Sequence, residues 1–407
     1  MALRVKAGAL AHRDYALFFS GQLVSLIGSW MQSLGQSWLV LQLTGSPWKL
    51  GLISTLQFTP MLLFSLFSGA IIDRLPKRRV IIATQSLFML LAFSLSALVW
   101  TERVQYWHLA ALALALGLVN TFDLPARQSF VVDMVGKEDL ASAVALNSAI
   151  FNGGRIVGPA IAGLVIARYG IAPAFFFNGV SFIAVIAALS FIRAEGLPKA
   201  VKQGSMLQEI GEGIKYVWRS PLLTFVIALV LFVGVLVINW SVLVPSFARG
   251  VLHQEAQGFG GLMSALGVGA LVGALLRAAQ NRSDPSLRSI IAPAVLMSVA
   301  SISMRFVTTA WVAAIALFFI GFGMIQFLTS SNTKVQMAAP DHLRGRVMSL
   351  YVLANAGTAP LGSLYMGAVT EAFGASTGFL VGGSLGLIAI GLLMFVWFRV
   401  LRPRLDG

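Results

Sequence analysis

The chain has 407 residues, is 57% hydrophobic and only 11% charged, and has a mean hydropathy of +0.85. Soluble domains carry about 25% charged residues, so an aqueous fold is excluded. Twelve spans of roughly 20 residues each would leave only short loops and no separate soluble domain. The net charge of +14 is spread over many short segments, which excludes a nucleic-acid footprint and fits an orientation signal instead.

Apolar stretches near 15–42, 49–72, 80–100, 107–124, 143–167, 171–192, 221–247, 258–276, 286–304, 310–333, 347–370 and 375–398 predict an all-α polytopic membrane protein with twelve transmembrane helices. With the N-terminus in the cytoplasm, 23 of the 29 Lys and Arg residues fall on the inner side and 5 in outer loops. Both termini are therefore expected in the cytoplasm of a bacterial inner membrane. Residues 1–15 lack the apolar core and cleavage site of a signal peptide, so span one is expected to be retained.

Span one carries Ser25, Ser29, Gln32, Ser33 and Gln36 at helical spacing, the polar face of a candidate substrate path. Asn120, Asn152, Asn239, Gln326, Asn332 and Asn355 offer polar groups from other spans. Trp30, Trp38, Phe58, Trp240, Met263 and Phe327 would supply an adaptable apolar wall. Each of these side chains also has a plain packing role open to it.

Between spans two and three lies Gly69-Ala-Ile-Ile-Asp73-Arg74-Leu-Pro76-Lys77-Arg78-Arg79. Gly69 would let helices approach closely. Asp73 can accept bonds from a helix N-terminus or a cation, and Arg78 and Arg79 suit an anionic leaflet. Asp123, read at the inner end of span four, is a candidate partner for one of these arginines. The segment is either a conformational latch or a topology anchor.

Span five contains Asn152-Gly153-Gly154-Arg155-Ile-Val-Gly158-Pro159-Ala-Ile-Ala162-Gly163. Pro159 removes a backbone donor and bends the helix. Arg155 sits near mid-span, where a guanidinium must face the bundle interior or a water-filled cavity. It would attract an anionic or electron-rich substrate, bind carbonyls freed by Pro159, or make a static bond to Asn147, Asn152 or a neighbouring span.

Residues 193–220 form the one long hydrophilic segment, with Lys199, Lys202, Glu209, Glu212 and Lys215, and 206–218 can form an amphipathic helix. The chain repeats around it. Val132, Met134, Leu140, Val144, Asn152 and Gly154 recur 203 positions later, and Gly163 and Gly170 recur 204 later as Gly367 and Gly374. A parallel six-plus-six repeat is a known transporter plan. It predicts an N-terminal bundle over 1–192, a cytoplasmic linker over 193–220 and a C-terminal bundle over 221–407.

Together with Arg13-Asp14-Tyr15-Ala-Leu-Phe-Phe-Ser-Gly21-Gln22, Gly28 and Gln36-Ser-Trp38, these motifs resemble the major facilitator superfamily over essentially the whole chain. They are most similar to the bacterial exporter branch that includes the enterobactin exporter and drug and macrolide efflux proteins. Gly69, Asp73, Arg74, Arg78 and Arg79 match the superfamily's loop signature, with Pro76 where a second Gly is usual. Gly154, Gly158, Pro159 and Gly163 match its antiporter signature in part, since Ala145 and Ala162 replace glycines. The resemblance implies a monomeric exporter of a small amphiphile, drug-like or siderophore-like, working by alternating access. A lysophospholipid flippase of the same superfamily is the alternative, and a membrane scaffold or sensor the non-transport one.

No mid-span carboxylate is visible, which disfavours a dedicated pump for hydrophobic cations. Proton coupling is left open, with Asp14, Asp73 and Asp123 as the titratable candidates. His12, His108, His253 and His342 are scattered, and no Walker loop, metal spacing or nucleophile elbow occurs. The expectation is a protein that is not an enzyme, with no metal, no cofactor and no cysteine chemistry. Its partners are expected to be a small-molecule substrate and the bilayer.

Overall fold

The computed structural model describes residues 8–197, 206–280, 284–340 and 343–401. Lys199, Lys202 and His342 lie outside them, as do residues 1–7. The described chain is helical, without strands. The first half forms α1 (Arg13–Thr44), α2 (Pro47–Ile72), α3 (Lys77–Trp100), α4 (Tyr106–Val135), α5 (Leu140–Tyr169) and α6 (Ala172–Phe191). α7 (Met206–Arg219) follows in the hydrophilic segment. The second half forms α8 (Pro221–Leu236), α9 (Trp240–Gly250), α10 (Ala256–Ala279), α11 (Arg288–Ser303), α12 (Ala310–Ala338), α13 (Arg344–Phe373) and α14 (Ala375–Val396). Among the described residues, 9 of these segments are long and apolar enough to cross a membrane, with Pro221–Gly250 counted as one.

Local chemistry sets the boundaries. The Ser46 hydroxyl accepts the Lys49 backbone N–H and Pro47 opens α2, a normal N-terminal cap. α5 and α13 end at Gly170 and Gly374, with φ of +83° and +82°. Only glycine takes that conformation without strain, and the two positions are equivalents in the sequence repeat. Where the apolar pattern predicts one helix over 221–247, the structure has two. The Asn239 side-chain amide donates to the Val235 carbonyl at 2.7 Å, while its backbone N–H turns to Val237. An asparagine that takes over a helical acceptor breaks the ladder there.

Within the first half, α1 packs on α5 and α6, α2 on α4, and α3 on α4 and α6. Within the second, α10 and α11 pack on α12, and α8 and α11 on α14. The halves meet along α2–α13 and α5–α10, and α9 touches α1 and α2. The perimeter exposes Phe64, Trp100, Trp107, Leu164, Trp311, Phe373 and Leu392. An apolar belt of this extent belongs in lipid. Short connections alternate the helix directions, so one face of the molecule holds the starts of α1, α3, α5 and α13. It is rich in ion pairs and is called the charged face here; the opposite one is the distal face.

Candidate functional site

A cavity of about 190 Å³ lies where the halves meet. Trp30, Ser33 and Gln36 of α1, Ser54 and Gln57 of α2, Pro159 of α5, Trp240 and Ser241 of α9, Phe259 and Met263 of α10, and Thr358 and Ser363 of α13 line it. The wall is aromatic with scattered neutral hydrogen-bonding groups, the usual make-up of a site for an amphiphile. A wider hollow of about 710 Å³ beside Gln280, Leu287 and Arg288 abuts residues outside the described set and is open to solvent. The central cavity between the halves is therefore the candidate site.

On its distal side the cavity is roofed. Trp38 stacks on Phe259 with ring centres 5.9 Å apart, while Trp30 meets Trp240 at 6.2 Å at the end of the cavity nearer the charged face. The Glu371 carboxylate accepts the Ser46 hydroxyl at 2.9 Å and the Trp48 backbone N–H at 3.2 Å. Arg249 donates to the Leu41 carbonyl. Lower down, Thr55 donates to the Pro360 carbonyl at 3.0 Å and Ser264 to the Ile156 carbonyl at 2.9 Å. All of these bonds join one half of the chain to the other.

Glycines trace how the halves diverge below this roof. A side chain on Gly163 would meet the Ala256 carbonyl and the Gln257 Cα at 3.0 Å, and one on Gly260 would strike the backbone of Pro159. Gly51 likewise lies against Ser363 and Gly367. Midway, Gly357 still faces Leu62 at 3.2 Å. Toward the charged face, nothing lies within 4 Å of a Cβ built on Gly69. The close approach expected at Gly69 is therefore absent in this conformation.

Among the described residues, the charged-face bonds lie within one half or join a half to the linker. Lys77, fully buried, donates to Asp133 at 2.8 Å and to the Leu197 carbonyl at 3.2 Å. Arg78 binds the carbonyls of Leu189 and Ser190 at the end of α6 at 2.7 and 3.0 Å, a cation satisfying a helix C-terminus. Asp14 accepts the backbone N–H groups of Arg193 and Ala194. In the second half, Lys334 pairs with Asp284 at 2.9 Å, and Arg346 with Glu212 of α7. Asp73, Arg74 and Arg79 are exposed, and no partner of their side chains occurs among the described residues.

Asp123 corrects the sequence reading in two ways. α4 continues to Val135, so the residue lies well inside the helix rather than at its end. It is fully buried and held by Thr84 at 2.6 Å, Gln85 at 2.9 Å and Arg127 at 2.6 Å, so it makes no bond to Arg78 or Arg79. Arg127 also donates to Gln22 at 2.7 Å, which ties α1 to this cluster.

The expected polar residues separate. Gln36 lines the cavity, whereas Gln32 accepts from Asn178 of α6 at 2.7 Å and serves helix packing. Ser29 and Asn120 are half-buried, Gln326 is buried in α12, and Asn355 is exposed. Asn239 is buried at the α8–α9 break beside Gly362. Gly154 and Gly158 lie against Leu26, Ile27 and Trp30 of α1, Gly163 against α10, and Pro159 lines the cavity. Arg155 is buried, with Nε and Nη2 lacking an acceptor among the described residues.

Sequence reading missed Lys77–Asp133 as a buried pair, and Ser54, Gln57, Ser241, Thr358 and Ser363 as cavity wall. The α2 residues carry a findable signal, since Leu50, Ser54, Gln57 and Phe58 share the three-to-four spacing used for span one.

The residues 7–404 match the family model described as transmembrane secretion effector, a branch of the major facilitator superfamily. The chain belongs to that family. It is 29% identical over 377 residues to the multidrug efflux pump Tap of Mycolicibacterium fortuitum, covering 90% of each protein. It is 24% identical to the staphyloferrin A transporter of Staphylococcus aureus over 96% of this chain and 97% of that protein. It is also 24% identical to the enterobactin exporter EntS of Shigella flexneri, over 96% of this chain and 93% of that one. Among solved structures, the nucleoside transporter NupG superposes with a TM-score of 0.74 at 13% identity, covering 95% of this chain and 98% of that one. A bacterial homologue of the lysosomal transporter Spinster, inward-facing and occupied, gives 0.74 at 13% identity over 96% and 98%. At this identity these two share the fold. The family's members are transporters and not enzymes, so the chain is a multi-pass membrane transporter of small molecules.

Proposed function

We propose that this transporter exports a small amphiphilic molecule across the bacterial inner membrane by alternating access. Twelve spans form two six-helix bundles, 1–192 and 221–407, joined by the linker 193–220. The α8–α9 pair counts as one broken span. The charged face is the cytoplasmic one, because it carries the excess of Lys and Arg. The observation that carries the reading is the one-sided closure of the cavity. Bonds and close glycine contacts join the halves from the distal face down past the cavity to Ser264–Ile156, whereas the charged-face pairs seen among the described residues join groups within one half or a half to the linker. A path open to one side only is what a carrier needs in each of its two states.

Substrate enters from the cytoplasm or inner leaflet and meets Gln36, Gln57, Trp30 and Trp240. Release needs the distal roof to part and the charged face to close. Asp73, Arg74 and Arg79 are the groups available for that second state. Asp73 follows α2, which runs beside α13, so closure would bring its carboxylate toward the N-terminus of α13. The space beside Gly69 permits that approach. Gly154, Gly158, Pro159 and Gly163 provide the bend and the narrow seam on which α5 moves. Asp123, locked to Arg127, is assigned to holding α1, α3 and α4 together while this happens.

The test is flux from proteoliposomes loaded in turn with a siderophore, a macrolide and a lysolipid, with and without a pH gradient. Gradient-dependent flux of a siderophore or macrolide supports the reading. Flux of lysolipid alone would replace it with lipid translocation, and no flux of any class would contradict it.

A further inference from the structure

Arg155 carries a charge that no carboxylate among the described residues answers. It lies mid-helix in α5, about 20 Å from either end at 1.5 Å per residue, and is 6% exposed. Its Nε and Nη2 have no acceptor among the described residues. A buried, unpaired guanidinium costs several kcal/mol. Asp123, the described carboxylate set deepest in a helix, is already held by Arg127, Thr84 and Gln85. The other described carboxylates stand in loops, near helix ends or, for Glu212, on the linker helix α7.

Helical geometry fixes which way Arg155 points. Gly154 and Gly158 mark the side of α5 against α1, and Ile156 and Gly163 the side against α10. Val157, Ile161 and Leu164 are exposed on the lipid side at 41%, 37% and 57%. At 100° per residue, Arg155, Pro159 and Asn152 fall on the remaining face, opposite the lipid and between the two seams. Pro159 lines the cavity, and Arg155 is one turn nearer the open charged face. Asn152, also on this face, donates to the Ser148 carbonyl, but its Oδ1 is buried without a donor. The cavity wall itself carries no charge.

We infer that Arg155 is the docking point for an anionic oxygen group, a carboxylate or phenolate, on the transported molecule, with the Asn152 carbonyl receiving a donor beside it. The inference rests on the export reading for the molecule's route, and it narrows that reading to acidic amphiphiles. A cationic amphiphile would bring a second positive charge to a site that already has one uncompensated. Inorganic chloride offers the same charge, and the test separates it from an organic acid.

The experiment measures dye binding by anisotropy to the full chain in nanodiscs of neutral lipid. Fluorescein and tetramethylrhodamine methyl ester share a xanthene core and carry opposite charges. Wild type should bind fluorescein at least about tenfold more tightly. Arg155→Gln should remove most of that preference, and Arg155→Lys should keep fluorescein binding within about threefold. Chloride at physiological concentration should not displace the dye.

An unchanged preference in Arg155→Gln, tighter binding of the cationic dye, or no binding of either dye would each overturn the assignment. Displacement by millimolar chloride would assign Arg155 to a resident inorganic ion instead. If Arg155→Gln does not fold, the wild-type preference and Arg155→Lys decide the matter. Fluorescein binding through Arg155 without flux in proteoliposomes would sink the export reading and leave this one standing. Flux restricted to the cationic dye would do the reverse.

Discussion

The two ends of the path are built from opposite materials. At the distal end the halves touch through glycine backbones, stacked aromatics and a few hydrogen bonds such as Ser46–Glu371 and Thr55–Pro360. At the charged end, Lys77–Asp133 and the Arg78–carbonyl bonds tie the first half to itself, and Lys334–Asp284 does so in the second. The first kind of contact is short-ranged and can separate at modest cost, since each hydrogen bond contributes about 1 kcal/mol net. The second is expensive to break. A carrier of this design keeps its halves rigid with strong internal bonds and lets weak contacts between them come and go.

Lys77→Ala offers the largest effect. It should lower stability by about 3 kcal/mol, because it empties the space of a fully buried side chain and removes its bonds to Asp133 and the Leu197 carbonyl. Thermal melting of the purified protein reads this, and the distal roof should stay closed. Gly260→Val comes next, because it inserts a side chain where Pro159 backbone already sits. Overpacking of about 1–3 kcal/mol should shift the population toward a parted distal face by roughly 5- to 150-fold. Labelling of a single cysteine at Ser37 from the distal side would report it, and the natural absence of cysteine keeps that readout clean.

Glu371→Gln weakens two charge-assisted bonds at an exposed site. A shift of about 1 kcal/mol in the same direction is expected after solvent screening. The smallest effect on stability belongs to Asp73→Asn, within about 0.5 kcal/mol, since the carboxylate is exposed and no partner of it occurs among the described residues. Its effect should appear in turnover, with substrate binding retained. Weakened binding at unchanged turnover would break the contrast between the two ends.

Much of this was legible in the chain. Apolar periodicity located the helices, and the repeat that pairs Gly170 with Gly374 corresponds to matching glycine caps on α5 and α13. Side-chain partners were less legible, because they depend on helix rotation and length. Asp123 lies deep because α4 runs on through Ala126 to Val135, a stretch whose Arg127 and Gln128 hide its helical continuation. Gln32 and Gln36 look equivalent at a spacing of four, yet one meets Asn178 and the other the cavity. The burial of Lys77 depends on the chain at Glu195–Leu197 folding back over α3, which no local pattern in the loop encodes.

The most direct test of one-sided closure is a pair of spin-label distances recorded in the same preparation. One pair, at Tyr169 and Phe373, spans the distal ends of α5 and α13, and the other, at Lys137 and Ser349, spans the charged ends. Addition of a transported molecule under a proton gradient should lengthen the distal distance and shorten the charged one together. Two distances that stay fixed, or that lengthen together, would contradict an alternating path through the central cavity.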